Sequence, residues 1–180
     1  MCQGGQKCCK VGENVIRLHS TKKPCETEGK MIEPRATVDL NGEFRFKTDA
    51  KGRMSLPAKF RKALSSELVV TRDPDKDEYI MVFEAEAFDE WVASLFESAF
   101  EGGYNPTNRK HQAFRRKLKS RADDVQVDSA GRIMLPAEQR EAVGIGRDVV
   151  IVGNTGYFEV WDAKRYEAAD AEIDLSELFS

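Results

Sequence analysis

Residues 49–61 read Asp-Ala-Lys-Gly-Arg-Met-Ser-Leu-Pro-Ala-Lys-Phe-Arg, and residues 128–140 read Asp-Ser-Ala-Gly-Arg-Ile-Met-Leu-Pro-Ala-Glu-Gln-Arg. The Asp, Gly, Arg, Leu, Pro, Ala and final Arg of the first stretch recur at the same spacing in the second. Such a repeat indicates one structural unit that is built twice, with two copies of any surface it carries. Each unit has roughly 45 residues, which is marginal for an independent core, so we expect the two units to share one.

The alternation of apolar and polar residues predicts a β-hairpin at the start of each unit. Residues 44–48 alternate as a half-buried strand does, and residues 49–52 carry Asp and Gly as in a type I turn that ends on a left-handed glycine. This turn predicts that Phe46 pairs with Leu56 in the same hairpin, with one apolar face. In both units together the predicted apolar face is Phe44, Phe46, Met54, Leu56, Val125, Val127, Ile133 and Leu135.

A short helix and two further strands are predicted after each hairpin. Pro57 and Pro136 stand where a first helical residue would lie, and Gly144 is a natural stop for the second helix. The further strands are predicted at 68–71, 79–83, 149–152 and 157–161. The predicted fold is therefore α+β and mainly β, with two strand–strand–helix–strand–strand repeats and helices between and after them.

Composition and periodicity divide the chain into five segments. They are a flexible N-terminal extension (1–41), a first repeat (42–87), a helical linker (88–120), a second repeat (121–165) and an acidic C-terminal tail (166–180). The linker has apolar residues at 3.6-residue spacing from Phe88 to Phe100, a break at 102–106 and a second helix from about Asn108 to Lys119. All cysteines (Cys2, Cys8, Cys9 and Cys25) precede the repeats and lack paired zinc spacing, so we expect no disulfide-dependent fold and no metal site.

Charge is distributed unevenly along the chain, although the net charge is only −3. Residues 44–62 and 107–121 each carry seven Lys or Arg, whereas residues 158–180 carry seven acids. Local basic density favours binding of a polyanion. No apolar stretch reaches the roughly 18 residues of a membrane span, so we expect a cytoplasmic protein. His19 and His111 lack a catalytic partner motif, and no nucleotide-binding or metalloprotease motif is present, which argues against an enzyme, a cofactor or a small-molecule substrate.

The doubled Asp-x-x-Gly-Arg-x-x-Leu-Pro unit resembles the swapped-hairpin SpoVT-AbrB domains, and two such units joined by a helical segment resemble the MraZ family of transcriptional regulators. The resemblance covers roughly residues 42–170. It implies a double-psi or swapped-hairpin barrel of the AbrB type and a ring-like homo-oligomer. It also implies a nucleoid-associated repressor that binds short direct repeats in the promoter of the division and cell-wall gene cluster.

Arg53 and Arg132 are the main candidates for contact with double-stranded DNA. The guanidinium fork bonds guanine O6 and N7 together, and a two-stranded β-ribbon fits the major groove. The alternative is that each arginine only pairs with the facing Asp49 or Asp128, and both hold if those carboxylates orient the arginines. Arg45, Lys47 and Lys51 are candidates for phosphate contact or for an ordinary solvated face. Gly52, Gly131, Pro57 and Pro136 are interpreted as structural.

A second function remains open, in which the chain is an oligomeric protein-interaction module of the antitoxin or scaffold kind. The acidic C-terminal segment carries Ile173, Leu175, Leu178 and Phe179 and would be the ligand for a partner. The basic residues of 107–121 either contact phosphates or form salt bridges with acidic tails or neighbouring subunits.

Overall fold

The computed structural model describes residues 38–75 and 77–179 of the 180-residue chain. In them the strands are β1 (Glu43–Lys47), β2 (Arg53–Ser55), β3 (Glu67–Arg72), β4 (Ile80–Glu84), β5 (Asp123–Gln126), β6 (Arg132–Met134), β7 (Asp148–Gly153) and β8 (Tyr157–Asp162). The helices are α1 (Ala58–Ala63), α2 (Ala85–Ala99), α3 (Arg109–Lys119), α4 (Ala137–Val143) and α5 (Ala163–Ala171), followed by a 3-10 helix at Leu175–Phe179. The mixed α/β class, the antiparallel pairing and the order of elements in each repeat match the prediction.

The two repeats exchange their first strands. Six strands form one sheet in the order β1-β7-β8-β4-β3-β5, and β2 pairs with β6 in a separate two-stranded ribbon. Strand β1 of the first repeat pairs with β7 of the second, and β5 of the second pairs with β3 of the first. The arrangement therefore has an approximate twofold relation between the repeats, and each repeat completes the sheet of the other.

The predicted pairing within each hairpin is wrong beyond the turn. The turn itself forms, since the Asp49 amide donates to the Arg53 carbonyl at 2.9 Å and the Gly52 amide donates to the Asp49 carbonyl at 2.9 Å. Phe46, however, lies opposite Val149 instead of Leu56, because β1 and β2 diverge after the turn to pair with the other repeat. The predicted apolar face is nevertheless correct, because Met54 and Leu56 are buried in one core with Phe44 and Phe46 packed against it.

No closed barrel forms from strand pairing in the described residues. The sheet ends at β1 on one edge and at β5 on the other. Both edge strands run into the tight turns that lead to the ribbon, and β2 and β6 are only three residues long each. These short strands pair with one another, so they do not join the edges of the large sheet.

The main core is built by both repeats, as their small size predicts. Phe60 of α1 is fully buried, and its ring centroid lies 5.3 Å from that of Phe44 and 5.5 Å from that of Phe158. A second apolar cluster covers the other face of β3 and β4, where Phe88, Val92 and Phe96 of α2 are buried. Strands β3 and β4 are thus buried on both faces, which explains their continuous apolar sequence.

The helix ends agree closely with the sequence signals. Asn108 caps α3, with its side-chain oxygen accepting the Lys110 amide at 2.9 Å, and Gly144 ends α4 with a left-handed φ of 68°. Pro57 and Pro136 lie one position earlier than predicted, because they are the N-cap residues of α1 and α4. None of the helices in residues 38–75 and 77–179 has the length and apolar character required to cross a bilayer.

The ends of the described chain differ from each other. Leu40 is buried, and Asp39 forms a β-bridge with Thr155, so ordered packing begins before residue 42. Most of the predicted extension, with its cysteines, lies outside the described residues. The acidic tail begins as helix α5 and ends in the 3-10 helix, whose apolar side chains are exposed.

Candidate nucleic-acid interface

The turn before β2 holds Arg53 through a network of hydrogen bonds to Asp49. Asp49 Oδ1 accepts the backbone amides of Lys51 and Arg53, each at 2.9 Å, while Oδ2 accepts Arg53 Nε at 2.7 Å. These bonds, led by the Arg53 amide, lower the pKa of Asp49 to about 2. The ion pair between Arg53 and Asp49 is thus made through Nε of the guanidinium.

The turn before β6 repeats this geometry around Asp128 and Arg132. Asp128 Oδ1 accepts the amides of Ala130 and Arg132 at 2.9 Å, and Oδ2 contacts both Nε of Arg132 at 2.9 Å and its terminal Nη2 at 2.8 Å. The side-chain bond from Arg132 is the main cause that lowers the pKa of Asp128, and the same bond raises the pKa of Arg132. Both arginine side chains keep a little over a third of their surface exposed.

Each turn packs against a helix of the opposite repeat. Gly52 is buried with φ of 79°, and a Cβ there would lie 2.5 Å from Nε of Arg140 on α4. Gly131 has φ of 74°, and a Cβ there would meet the side chain of Arg61 on α1. The Leu56 amide donates to the Gly131 carbonyl, and the Leu135 amide to the Gly52 carbonyl, each at 3.0 Å. The two turns are therefore held in a fixed, reciprocal arrangement.

The ribbon places the two arginines on one exposed face. Met54 and Ile133 face each other and are buried, so alternation puts the residues on either side of them on the outer face. Arg53 lies opposite Met134, and Ser55 lies opposite Arg132. Arg53 and Arg132 are consequently diagonal neighbours, with Cα atoms about 7–8 Å apart.

The surroundings of this face are basic. The nearby cations outnumber the two carboxylates of the turns; they are Lys51, Arg53, Arg61, Arg132 and Arg140. Lys51 lies at the exposed tip of the first turn, and its side chain forms no ion pair with any residue the structure describes. The face therefore offers positive charge to an anionic partner.

Arg45 and Lys47 lie elsewhere, on edge strand β1. Arg45 pairs with Glu167 at 2.7 Å and with Glu43 at 3.2 Å, and the bond to Glu167 is the main cause that raises its pKa. Lys47 pairs with Asp148 at 2.7 Å. The structure thus separates these two candidates from the ribbon and compensates their charge, while it brings Lys51, Arg53 and Arg132 together.

Sequence reasoning missed three features of the ribbon face. The sequence assigns no role to Met134, yet it is 57% exposed and lies opposite Arg53. Arg61 and Arg140 had no assigned role, although they contact the turns of the opposite repeat. Their recurrence as the last residue of the 13-residue repeat was the signal available, since it links each turn to one helix.

Helix α3 is a second basic surface, and part of its charge is paired. Lys119 bonds to Asp89, and Arg121, just after the helix, donates to both oxygens of Asp77 at 2.7 and 2.8 Å. In the part of the chain that the structure describes, no group of three or more His, Cys, Asp or Glu side chains is arranged to hold a metal ion.

Comparisons with known proteins find similar proteins that match most of this chain. A family model described as "MraZ protein, putative antitoxin-like" matches residues 40–105 and 118–179. The chain is 36% identical over 126 residues to the transcriptional regulator MraZ of Mycolicibacterium vanbaalenii, which covers 70% of this chain and 83% of that protein. It is 34% identical over 138 residues to the transcriptional regulator MraZ of Corynebacterium jeikeium, covering 76% and 91% of the two chains. For the MraZ of Acetivibrio thermocellus the identity is 32% over 135 residues, covering 75% and 89%.

Proposed function

The chain belongs to the MraZ family of transcriptional regulators, which are not enzymes, and from this we propose that it binds promoter DNA through the outer face of the β2–β6 ribbon. A two-stranded antiparallel ribbon is narrow enough to enter the major groove. The observation that carries the proposal is the pair of carboxylate-oriented arginines, Arg53 and Arg132, on one face of that ribbon.

The spacing of the two arginines suits base recognition. Their Cα atoms are about 7–8 Å apart, and bases along one strand rise by about 3.4 Å per step, so the two side chains span about two steps. Because Asp49 engages Arg53 through Nε, the terminal nitrogens are available to bond guanine O6 and N7. Asp49 and Asp128 act as orienting residues, and Lys51 contacts a phosphate.

The exchange of first strands supports an assignment of the fold to the swapped-hairpin SpoVT-AbrB type. In this assignment residues 42–87 and 121–165 are the two domain repeats, and the segment 88–120 links them. Gly52, Gly131, Pro57 and Pro136 serve the turns and helix starts and do not contact DNA.

We further propose that the protein is a repressor that assembles into a ring-like homo-oligomer and binds short direct repeats. One ribbon reads one repeat, and neighbouring ribbons in the ring read the next. Weak single contacts then add through effective concentration. The regulated promoter is that of the division and cell-wall gene cluster, and the protein acts in the cytoplasm at the nucleoid.

Fluorescence anisotropy with the DNA upstream of the chain's own gene tests the ribbon. Arg53→Ala removes one bidentate base contact of about 1–3 kcal/mol, so we expect specific affinity to fall by about ten- to a hundredfold. Arg116→Ala removes an exposed charge from α3 and serves as the matched control, with affinity within about twofold of the wild type. Lys51→Ala should weaken all sequences equally and make the salt dependence shallower.

The reverse pattern overturns the proposal. If a folded Arg53→Ala/Arg132→Ala protein keeps wild-type specific affinity while Arg116→Ala loses it, the DNA lies on helix α3 instead of the ribbon. Near-ultraviolet circular dichroism of each variant separates loss of contact from loss of fold.

A further inference from the structure

The exposed apolar side chains of this protein are concentrated in three places. Within the described residues, the large hydrophobic side chains that are exposed comprise Met134 on the ribbon, Phe114 on α3 and a C-terminal group. That group, which we call the tail patch, consists of Ile173, Leu175, Leu178 and Phe179, with exposures of 65–88%. Large apolar side chains that are exposed close together in the sequence are typical of an interaction site.

The tail patch has a defined shape. Ile173 and Glu172 continue from α5, with amides that donate to the carbonyls of Asp170 and Ala169 at 3.2 Å. Asp174 Oδ1 then accepts the Ser176 amide at 2.9 Å and starts the 3-10 helix. Residues three apart are eclipsed in a 3-10 helix, so Leu175 and Leu178 project on the same side, about 6 Å apart.

A groove of about 380 Å³ lies where α2 and α3 meet, and we call it the linker groove. Its apolar lining is Pro74, Leu95, Phe96, Phe100, Phe114 and Leu118. Lys117 and Arg121 also line it; Arg121 is bound to Asp77, whereas Lys117 forms no ion pair with a described residue. The groove therefore offers an apolar floor with a cationic border, which suits an apolar segment flanked by acids.

The charges of the two surfaces are complementary. Helix α3 has the sequence Arg-Lys-His-Gln-Ala-Phe-Arg-Arg-Lys-Leu-Lys, with six cations and no acid. Residues 172–179 carry Glu172, Asp174 and Glu177 and no cation. Like charge disfavours contact of one tail with another, whereas the tail of one chain is attracted to the α3 side of the groove in a second, since Lys119 is the one α3 cation with an ion pair among the described residues.

We propose that the tail patch of one chain docks in the linker groove of a second copy. The tail of the same chain stays outside its own groove, since its four apolar side chains are exposed and Phe114 remains 43% exposed. The tail patch and the linker groove are different surfaces. Each chain can therefore dock its tail patch on one neighbour and accept the tail patch of another neighbour in its linker groove. Such a heterologous contact propagates head to tail and closes into a ring when the rotation permits.

This inference rests on the self-association proposed above and names the surfaces responsible for it. Sedimentation velocity of the full chain over a concentration series gives the wild-type assembly. Leu175→Ser/Leu178→Ser removes the eclipsed pair and is expected to raise the dissociation constant of assembly at least a hundredfold. Ser176→Ala changes a neighbouring side chain on another side of the 3-10 helix and is expected to assemble like the wild type.

Mixing two defective chains tests the head-to-tail geometry. Phe114→Ser/Lys117→Glu damages only the groove, and Leu175→Ser/Leu178→Ser damages only the tail, so each is expected to be monomeric alone. An equimolar mixture retains one good tail and one good groove per pair and should form one-to-one dimers that do not grow. Failure of the mixture to dimerise overturns the proposal.

The outcomes distinguish self-association of the chain from the use of the tail patch and the linker groove as its docking surfaces. A wild-type chain that is monomeric at every concentration overturns self-association itself. Wild-type assembly that survives both sets of changes overturns only the docking site. Assembly lost in the tail variant but unaffected in the groove variant places the tail against a different surface, and capture of another protein by the tail in that case favours the interaction-module function. Binding of a one-site DNA by each variant confirms that it is folded.

Discussion

Replacement of Gly52 by alanine tests the reciprocal packing of the turns, with Gly102→Ala as a matched control. Both glycines have nearly the same left-handed backbone, with φ of 79° and 80°. An L side chain in this conformation costs about 1–2 kcal/mol. A Cβ at Gly102 meets nothing within 4 Å, so that penalty is its whole cost.

At Gly52 the added Cβ also meets Arg140. It would lie 2.5 Å from Nε, and Arg140 must move and give up its 3.1 Å bond to the Leu135 carbonyl. A lost hydrogen bond costs about 0.5–1.5 kcal/mol, so we expect the free energy of unfolding to fall by about 2–3 kcal/mol for Gly52→Ala. Gly102→Ala should cost about 1 kcal/mol less.

Equilibrium unfolding in urea measures the free energy of unfolding of each variant, at a protein concentration where assembly is unchanged. Gly52→Ala is also made in an Arg140→Ala background, where the obstructing side chain is absent. There it should cost the same as Gly102→Ala. Equal costs for Gly52→Ala and Gly102→Ala in the unmodified background would refute the contact between turn and helix as a source of stability.

Four further predictions concern the core, the first turn, the ribbon and Lys47 on β1. Phe60→Ala leaves a cavity in the shared core and should lower the free energy of unfolding by about 3–5 kcal/mol. The Asp49 carboxyl should titrate near pH 2 by NMR, well below its ordinary 3.8; its contribution to stability is present above pH 3.8 and lost as the pH falls through about 2. Met134 is expected to contact a thymine methyl, so uracil in place of thymine weakens wild-type binding but not that of Met134→Ala. Asp148→Asn releases Lys47 and should raise DNA affinity at low salt.

Each of these has a contrary outcome. If Phe60→Ala lowers the free energy of unfolding by less than about 1 kcal/mol, the core has collapsed around the cavity. Titration of Asp49 near 4 means that its bonds to the turn do not persist in solution. If uracil weakens DNA binding by the wild type and by Met134→Ala equally, Met134 does not contact the thymine methyl. If the DNA affinity of Asp148→Asn is unchanged, Lys47 does not contact DNA.

The local elements were predictable because their signals are short-range. The turn at 49–52, the start of α3 near Asn108 and the stop at Gly144 each depend on a few adjacent residues. The partner of each strand was not predictable in the same way. Strands β2 and β6 have nearly the same sequence pattern, so alternation is satisfied equally by pairing within a repeat and by pairing across repeats.

The contacts of the candidate site residues show the same difference between short-range and long-range signals. Asp49 and Arg53 are four residues apart, and their bond follows from the turn that joins them. The partners of Arg45 and Lys47, which are Glu167 and Asp148, lie more than 100 residues away, and only the folded sheet brings them together. The position of Met134 beside Arg53 depends on the pairing of β2 with β6 across the repeats, so it could not be predicted from the sequence either.

The exchange of strands has a consequence for synthesis on the ribosome. Strand β1 leaves the ribosome long before β7, since Lys47 and its partner Asp148 are 101 residues apart. At about 5–20 residues per second, β1 waits roughly 5–20 s for the strand that covers it. During that interval β1, with Phe44 and Phe46, has no strand partner on the nascent chain. The first repeat therefore cannot complete its strand pairing until β7 of the second repeat has been synthesised. A truncated translation product exposes an unpaired, partly aromatic strand to chaperones and proteases.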